Sequence, residues 1–139
     1  MNEYKYNDIY IGQEESFLIK ISEEMMNKFF SITNDKNPLH HNQKFAHSKG
    51  FNNKVVFGML TASFISTLGG VYLPGKYCLI HSVETKFLKP VYIGDSLTIT
   101  GKIKEKHDSV QQIDIKIVMI NQMGEKVLRG LLKVGFLNE

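Results

Sequence analysis

The sequence predicts an α+β fold in which a curved antiparallel sheet wraps around one long central helix. Three observations carry this expectation. Residues 55–75 contain no charged side chain, and Lys54 and Lys76 flank them; a helix without a charged face belongs in the buried centre of a domain. Further on, Ile113, Ile115, Ile117 and Met119 alternate with Gln112, Asp114, Lys116 and Val118, the period of two that marks a strand with one buried face. The order is strand, helices, long helix and then consecutive strands. Its economical packing is one antiparallel sheet on one helix.

Residues 16–21 form a short first strand. Ser22 caps the helix after it, with Glu23 and Glu24 in the first turn, where acidic side chains suit the helix dipole. Met25, Met26, Phe29 and Phe30 recur at helical spacing, so this helix runs to about Ile32 with a core-facing stripe. Residues 34–40 read as a loop stiffened by Asn37-Pro38, since proline disfavours helix at the residue before it. A short helix over 42–46 and a loop over 51–54 lead to the uncharged helix, expected over 57–69 with Gly69-Gly70 as its stop. Residues 77–88 begin the strands. Leu97, Ile99 and Ile103 share a face in the next, and residues 121–124 turn between the last two, the second carrying Leu128, Gly130, Leu132, Val134 and Phe136 on its apolar face.

The 139 residues fit a single domain spanning 1–139, and 42% hydrophobic residues suffice for its core. The net charge of +3 comes from scattered lysines, which argues against nucleic acid as a partner. The uncharged stretch has the length of a membrane span, but Gly58, Thr61, Ser63, Ser66, Thr67, Gly69, Gly70 and Pro74 interrupt it, so a buried globular helix is expected instead. The lone Cys78 excludes an intrachain disulfide and suits a reducing cytoplasm. It is expected to be a plain, partly buried thiol. His47 and His107 read as surface residues, His41 as structural or solvated, His81 as a packing residue on its strand, and Gly94-Asp95 as a turn. No metal is expected, because the histidines and acids show no ligand spacing such as HExxH.

Asp35 and His40 lie five apart beside the stiff Asn37-Pro38. A carboxylate and an imidazole held together can share a water, one accepting its proton while the other donates one. Spacing alone does not decide the matter, since aspartates in turns often cap locally and histidines are common on surfaces.

The stretch FFSITNDKNPLHHNQKFA (29–46) resembles the hydratase motif of the MaoC-like family, the (R)-specific enoyl-CoA hydratases. The family's Asp, Asn, Pro, aliphatic residue, His and later Ala fall on Asp35, Asn37, Pro38, Leu39, His40 and Ala46. VVFGMLTASFISTLGGVYLPG (55–75) resembles its central helix, and FLKPVYIGDSLT (87–98) the segment after it. The resemblance covers residue 22 onward. It implies a hot-dog fold, a homodimer whose interface helps form the acyl tunnel, and hydration of trans-2-enoyl thioesters to (R)-3-hydroxyacyl thioesters or the reverse. Asp35 would be the general base to water, and His40 would hold that water and handle the proton for the α-carbon. The Gly58 backbone N–H would meet the thioester oxygen. Ser66, or less well Ser63, would stand near the pair, and Asn37 would join the substrate-binding set. No cofactor is implied beyond the coenzyme A, or acyl carrier protein, that is part of the substrate.

Three positions depart from the family pattern. Asn34 replaces its Gly before the Asp, and Asn also tolerates left-handed backbone. Phe57 replaces its His before the oxyanion donor, and Asn42 replaces an Asp. A hot-dog acyl-CoA thioesterase is the main alternative, but such enzymes carry a carboxylate on or beside the central helix, and residues 55–75 have none. The dehydratase type that acts on (3R)-hydroxyacyl carrier protein places its His and acid differently. A non-enzymatic acyl-thioester-binding protein would more readily have lost Asp35 or His40.

Overall fold

The computed structural model describes residues 1–138. Its strands are β1 (Glu14–Lys20), β2 (Cys78–Phe87), β3 (Ser96–His107), β4 (Gln112–Ile120) and β5 (Lys126–Phe136). They form one antiparallel sheet in the order β1-β3-β4-β5-β2. Helices α1 (Glu23–Thr33), α2 (Pro38–His41), α3 (Gln43–Ser48) and α4 (Gly58–Thr67) all lie between β1 and β2 in the chain. This is the expected hot-dog arrangement of a curved sheet around a central helix.

The alternation seen in the sequence sets the core. Ile113, Ile115, Ile117 and Met119 are fully buried, as are Leu97, Ile99, Ile103, Leu128, Leu132 and Val134, and they form one cluster with Leu60, Ile65 and Leu68 of the central helix. The helix packs tightly on the sheet at Gly101, where an added Cβ would stand 2.4 Å from Leu68 Cδ2. Only a glycine in β3 leaves room for Leu68 there. Ser22 caps α1 by accepting from the Met25 N–H at 3.2 Å. Asn34 ends it in left-handed backbone at φ 55°, the conformation that Asn tolerates. Asn121 closes the β4–β5 turn, its Oδ1 accepting from Met123 and Glu125 N–H.

Four expectations need correction. The central helix does not stop at Gly69-Gly70 but continues as a wider π turn over Leu68–Tyr72, closed by the Leu73 N–H on the Leu68 carbonyl at 2.8 Å. Gly69 serves packing rather than termination: an added Cβ would stand 3.2 Å from both Cys78 Sγ and Leu132 Cδ2. The presumed 34–40 loop ends at Asn37, whose side chain accepts from the Leu39 N–H and starts α2. Pro38 then occupies the first helical position, which its fixed φ suits. His81 is exposed rather than buried, because β2 is the sheet edge and most residues on both of its faces are exposed, although its ring lies over Gly135 and its Nδ1 stands 2.8 Å from Gln112 Nε2. Asp114, on the polar phase of β4, is nevertheless buried.

β2 is the sheet edge beyond β5, and it exposes Leu79, Ile80, Val83 and Phe87. No helix among the described residues is long and apolar enough to cross a membrane.

Candidate active site

The segment from the end of α1 to the start of α4 builds the site. Asp35 follows the left-handed Asn34. Its N–H donates to Thr33 Oγ1 at 3.2 Å, and its Oδ1 accepts from the Asn37 N–H at 3.1 Å. The next histidine braces this turn: His41 Nε2 donates to the Asp35 carbonyl at 2.7 Å, while its ring meets Phe30 edge-on. The structural reading of His41 therefore holds. The Asp35 carboxylate itself is exposed.

His40 sits on α2, half-buried, with Nδ1 2.6 Å from the Val55 carbonyl. A carbonyl oxygen only accepts, so Nδ1 carries the proton and neutral His40 presents Nε2 as its free acceptor. Phe57 lies beneath the imidazole at 4.4 Å between ring centroids, and also touches His41 and Phe29. The departure at Phe57 thus places a buried aromatic floor under the histidine in place of a polar group. Part of the α1 stripe serves the site as well, since Phe29 lines it.

Gly58 is the first residue of α4, and the Leu60 and Thr61 N–H groups both turn back to the Phe57 carbonyl. The Gly58 and Met59 N–H groups precede this first ladder bond and have no partner within the helix. Two clefts meet here. One, of about 250 Å³, is lined by Thr33, Asp35, His40, Phe57, Gly58 and Phe87 among others. The other, of about 280 Å³, continues from His40, Gly58 and Phe87 along Phe51, Val55, Val56, Pro90, Val91 and Val127. Apolar side chains dominate both clefts; Asp35 stands in the first only, and His40 and Gly58 stand where the two meet.

The structure brings Asp35, His40 and Gly58 to one cleft. Asn37 stays close in the chain but spends its side-chain oxygen on the α2 cap. Ser66 lies on an exposed face of α4, about 12 Å along the helix from Gly58 at 1.5 Å per residue, and lines neither cleft. Ser63 is also exposed and donates to the Leu60 carbonyl. Asp95 belongs to its own turn, accepting from Tyr92 N–H and Gln122 Nε2. Burial pushes the Cys78 thiol up to about 11, which makes it a poor nucleophile at neutral pH.

Comparison with known proteins decides the family. The MaoC-like domain model matches residues 10–123, a span that holds both clefts' polar residues. The chain belongs to the MaoC-like family. It is 37% identical over 105 residues to the (R)-specific enoyl-CoA hydratase of Rhodospirillum rubrum, covering 73% of each chain. It is 32% identical over 100 residues to the 3-hydroxybutyryl-CoA dehydratase of Methylorubrum extorquens, covering 72% of this chain and 64% of that one. Among solved structures, the unliganded R-hydratase of Pseudomonas aeruginosa superposes with a TM-score of 0.88 at 25% identity, over 96% of this chain and 86% of that one.

Two residues of this MaoC-like site were not singled out by the sequence. Phe87 lines both clefts and faces Gly58, where an added Cβ would stand 3.1 Å from its Cε1. Thr61, one turn past Gly58, lines the second cleft with its Oγ1 buried and without a hydrogen-bond partner. Its neighbours in the sequence mark it only as part of an uncharged helix.

Proposed function

We propose that the protein hydrates trans-2-enoyl-CoA to the (R)-3-hydroxyacyl thioester and catalyses the reverse dehydration. The observation that carries the reading is the fixing of His40: with Nδ1 held by the Val55 carbonyl, Nε2 is the nitrogen left for the cleft it shares with Asp35 and Gly58. In the hydration direction, a water lies between the Asp35 carboxylate and His40 Nε2. Asp35 takes its proton as the oxygen bonds to C3, and the C2–C3 π pair moves toward the carbonyl. The negative charge on the thioester oxygen is met by the Gly58 N–H and the positive end of α4. The proton taken up by Asp35 is then passed by way of His40 Nε2 to C2, which completes the addition and returns both side chains to their starting forms. The cleft along Val55, Val56 and Val91 holds the acyl group, and no cofactor takes part beyond the coenzyme A of the substrate. Asn37 keeps the turn in shape for this chemistry.

The working unit in this proposal is a homodimer. The exposed apolar residues of β2 and its open edge offer a surface that a second copy covers. Met59 and Ser66, exposed on α4, face outward from this chain. The names of the two relatives above point to a coenzyme A thioester; acyl carrier protein is the other carrier that the same chemistry would admit.

The test is loss of enoyl-thioester absorbance with crotonyl-, hexenoyl- and longer enoyl-CoA, followed by chiral analysis of the product. Formation of (R)-3-hydroxyacyl-CoA is the expected result. Release of free coenzyme A without hydration would instead support a thioesterase.

A further inference from the structure

At the far end of the β3–β4 hairpin, three ligand-type side chains that the proposed reaction does not use come together. Glu105 and His107 lie on β3 and Asp114 on β4. Their chain spacing announces nothing, because a register shift between Ile103 and Glu105 creates the group: it sets Glu105 opposite Asp114 and His107 opposite Gln112. Cross-strand partners and residues two apart share a face of a sheet, so all three side chains rise on one side. One donor atom from each lies within 4.8 Å of the others.

Asp114 is the informative member. Its side chain is only 9% exposed, yet its Oδ1 has no hydrogen-bond partner. The nearest donor-type atom, His107 Nε2, is 3.2 Å away but is not aligned for a hydrogen bond. A buried carboxylate oxygen without a partner is costly to fold. Lys133, its cross-strand neighbour on β5, makes no ion pair with it among the described residues. The distances suit a shared cation instead. Two donors held ~2.0–2.2 Å from a tetrahedral zinc ion stand roughly 3.3 Å apart. His107 Nε2 and Asp114 Oδ1 have that separation, and Glu105 Oε2 lies 3.8 Å from the same nitrogen. Glu105 is 55% exposed and so is free to close the remaining gap.

We propose that Glu105, His107 and Asp114 form a binding site for a divalent transition metal, zinc above all. An imidazole and two carboxylates suit zinc, and the partial exposure of His107 leaves a fourth position for water. The site lines neither cleft of the active site. Bound there, the ion satisfies the buried Asp114 oxygen and ties the end of β3 to the start of β4.

The test is calorimetric titration of the untagged, chelator-stripped chain with zinc chloride, with melting temperature and amide hydrogen exchange measured alongside. Expected are saturable binding of one zinc per chain, a higher melting temperature, and slower exchange in the 105–114 hairpin. His107→Ala and Asp114→Asn should each weaken binding by at least the ~10–100-fold that loss of even an outer-shell partner costs. Glu105→Gln, at an exposed position, tests the site should Asp114→Asn fail to fold. His47→Ala, on the exposed face of α3, should leave binding unchanged. Absence of saturable binding would overturn the proposal. So would binding that survives His107→Ala and Glu105→Gln.

Discussion

Substitution at Gly58 separates the oxyanion role proposed for its N–H from a packing role. Gly58 lies outside left-handed backbone, so a side chain there meets no conformational barrier. A Cβ would stand 3.1 and 3.3 Å from Phe87 Cε1 and Cζ, and Phe87 is 53% exposed, so its ring can give way. Relief of that contact and the helix preference of Ala over Gly, worth up to ~1 kcal/mol, oppose each other. Gly58→Ala should therefore move the melting temperature by less than roughly 5 °C. Gly58→Val adds two γ carbons beside the amide at the junction of the clefts. If the thioester oxygen is bound there, kcat/KM should fall by ~10²–10³, the cost of losing one oxyanion donor, while circular dichroism stays unchanged. Adding Phe87→Ala to Gly58→Val restores space without restoring the approach to the amide. Activity should stay low in that double variant, and recovery would show that Phe87 displacement caused the loss. A folded Gly58→Val protein with normal kcat/KM would refute the reasoning and place the oxyanion elsewhere.

Other substitutions test the surroundings. Phe57 is 2% exposed and carries the His40 ring at 4.4 Å, so Phe57→Ala should cost ~3–5 kcal/mol in denaturant unfolding and lower activity with it, whereas Phe57→His should retain hydration in the absorbance assay. Burial pushes Cys78 up to about 11 from an ordinary 9.0; at pH 8 its iodoacetamide alkylation should run about 100-fold slower in the native than in the unfolded protein, and should accelerate as pH rises toward 11. Val83 is 49% exposed on the open edge of β2, so Val83→Lys should shift the dimer to monomer in light scattering, and a wild-type chain that is monomeric at micromolar concentration would remove the dimer from the account.

Much of this architecture could be read from residue order alone. The Ser22 cap, the alternating isoleucines of β4 and the Asn121 turn are local signals, and local physics fixed each of them. The central helix was legible as a buried element but not in its ending: Gly69 looks like a stop in sequence, and only the nearness of Cys78 and Leu132 shows it to be a contact. Asp35 and His40 line one cleft, yet the fixing of the imidazole depends on the Val55 carbonyl fifteen residues away. Thr61 and Phe87 carried no sequence mark because their roles come from which side of a cleft they face. Register shifts were the least legible feature. The one between Ile103 and Glu105 gathered Glu105, His107 and Asp114, of which the residue pattern gives no sign.

The central claim is that Asp35 and His40 act together on water. Asp35→Asn tests it cleanly, because an amide oxygen can still accept from the Asn37 N–H and keep the turn, while basicity is lost. Steady-state hydration of crotonyl-CoA by Asp35→Asn and His40→Ala, each verified as folded, is the decisive measurement. The account predicts a fall in kcat of at least ~10² in each, the lower end of what a positioned acid or base contributes. Full turnover in either folded variant would contradict it.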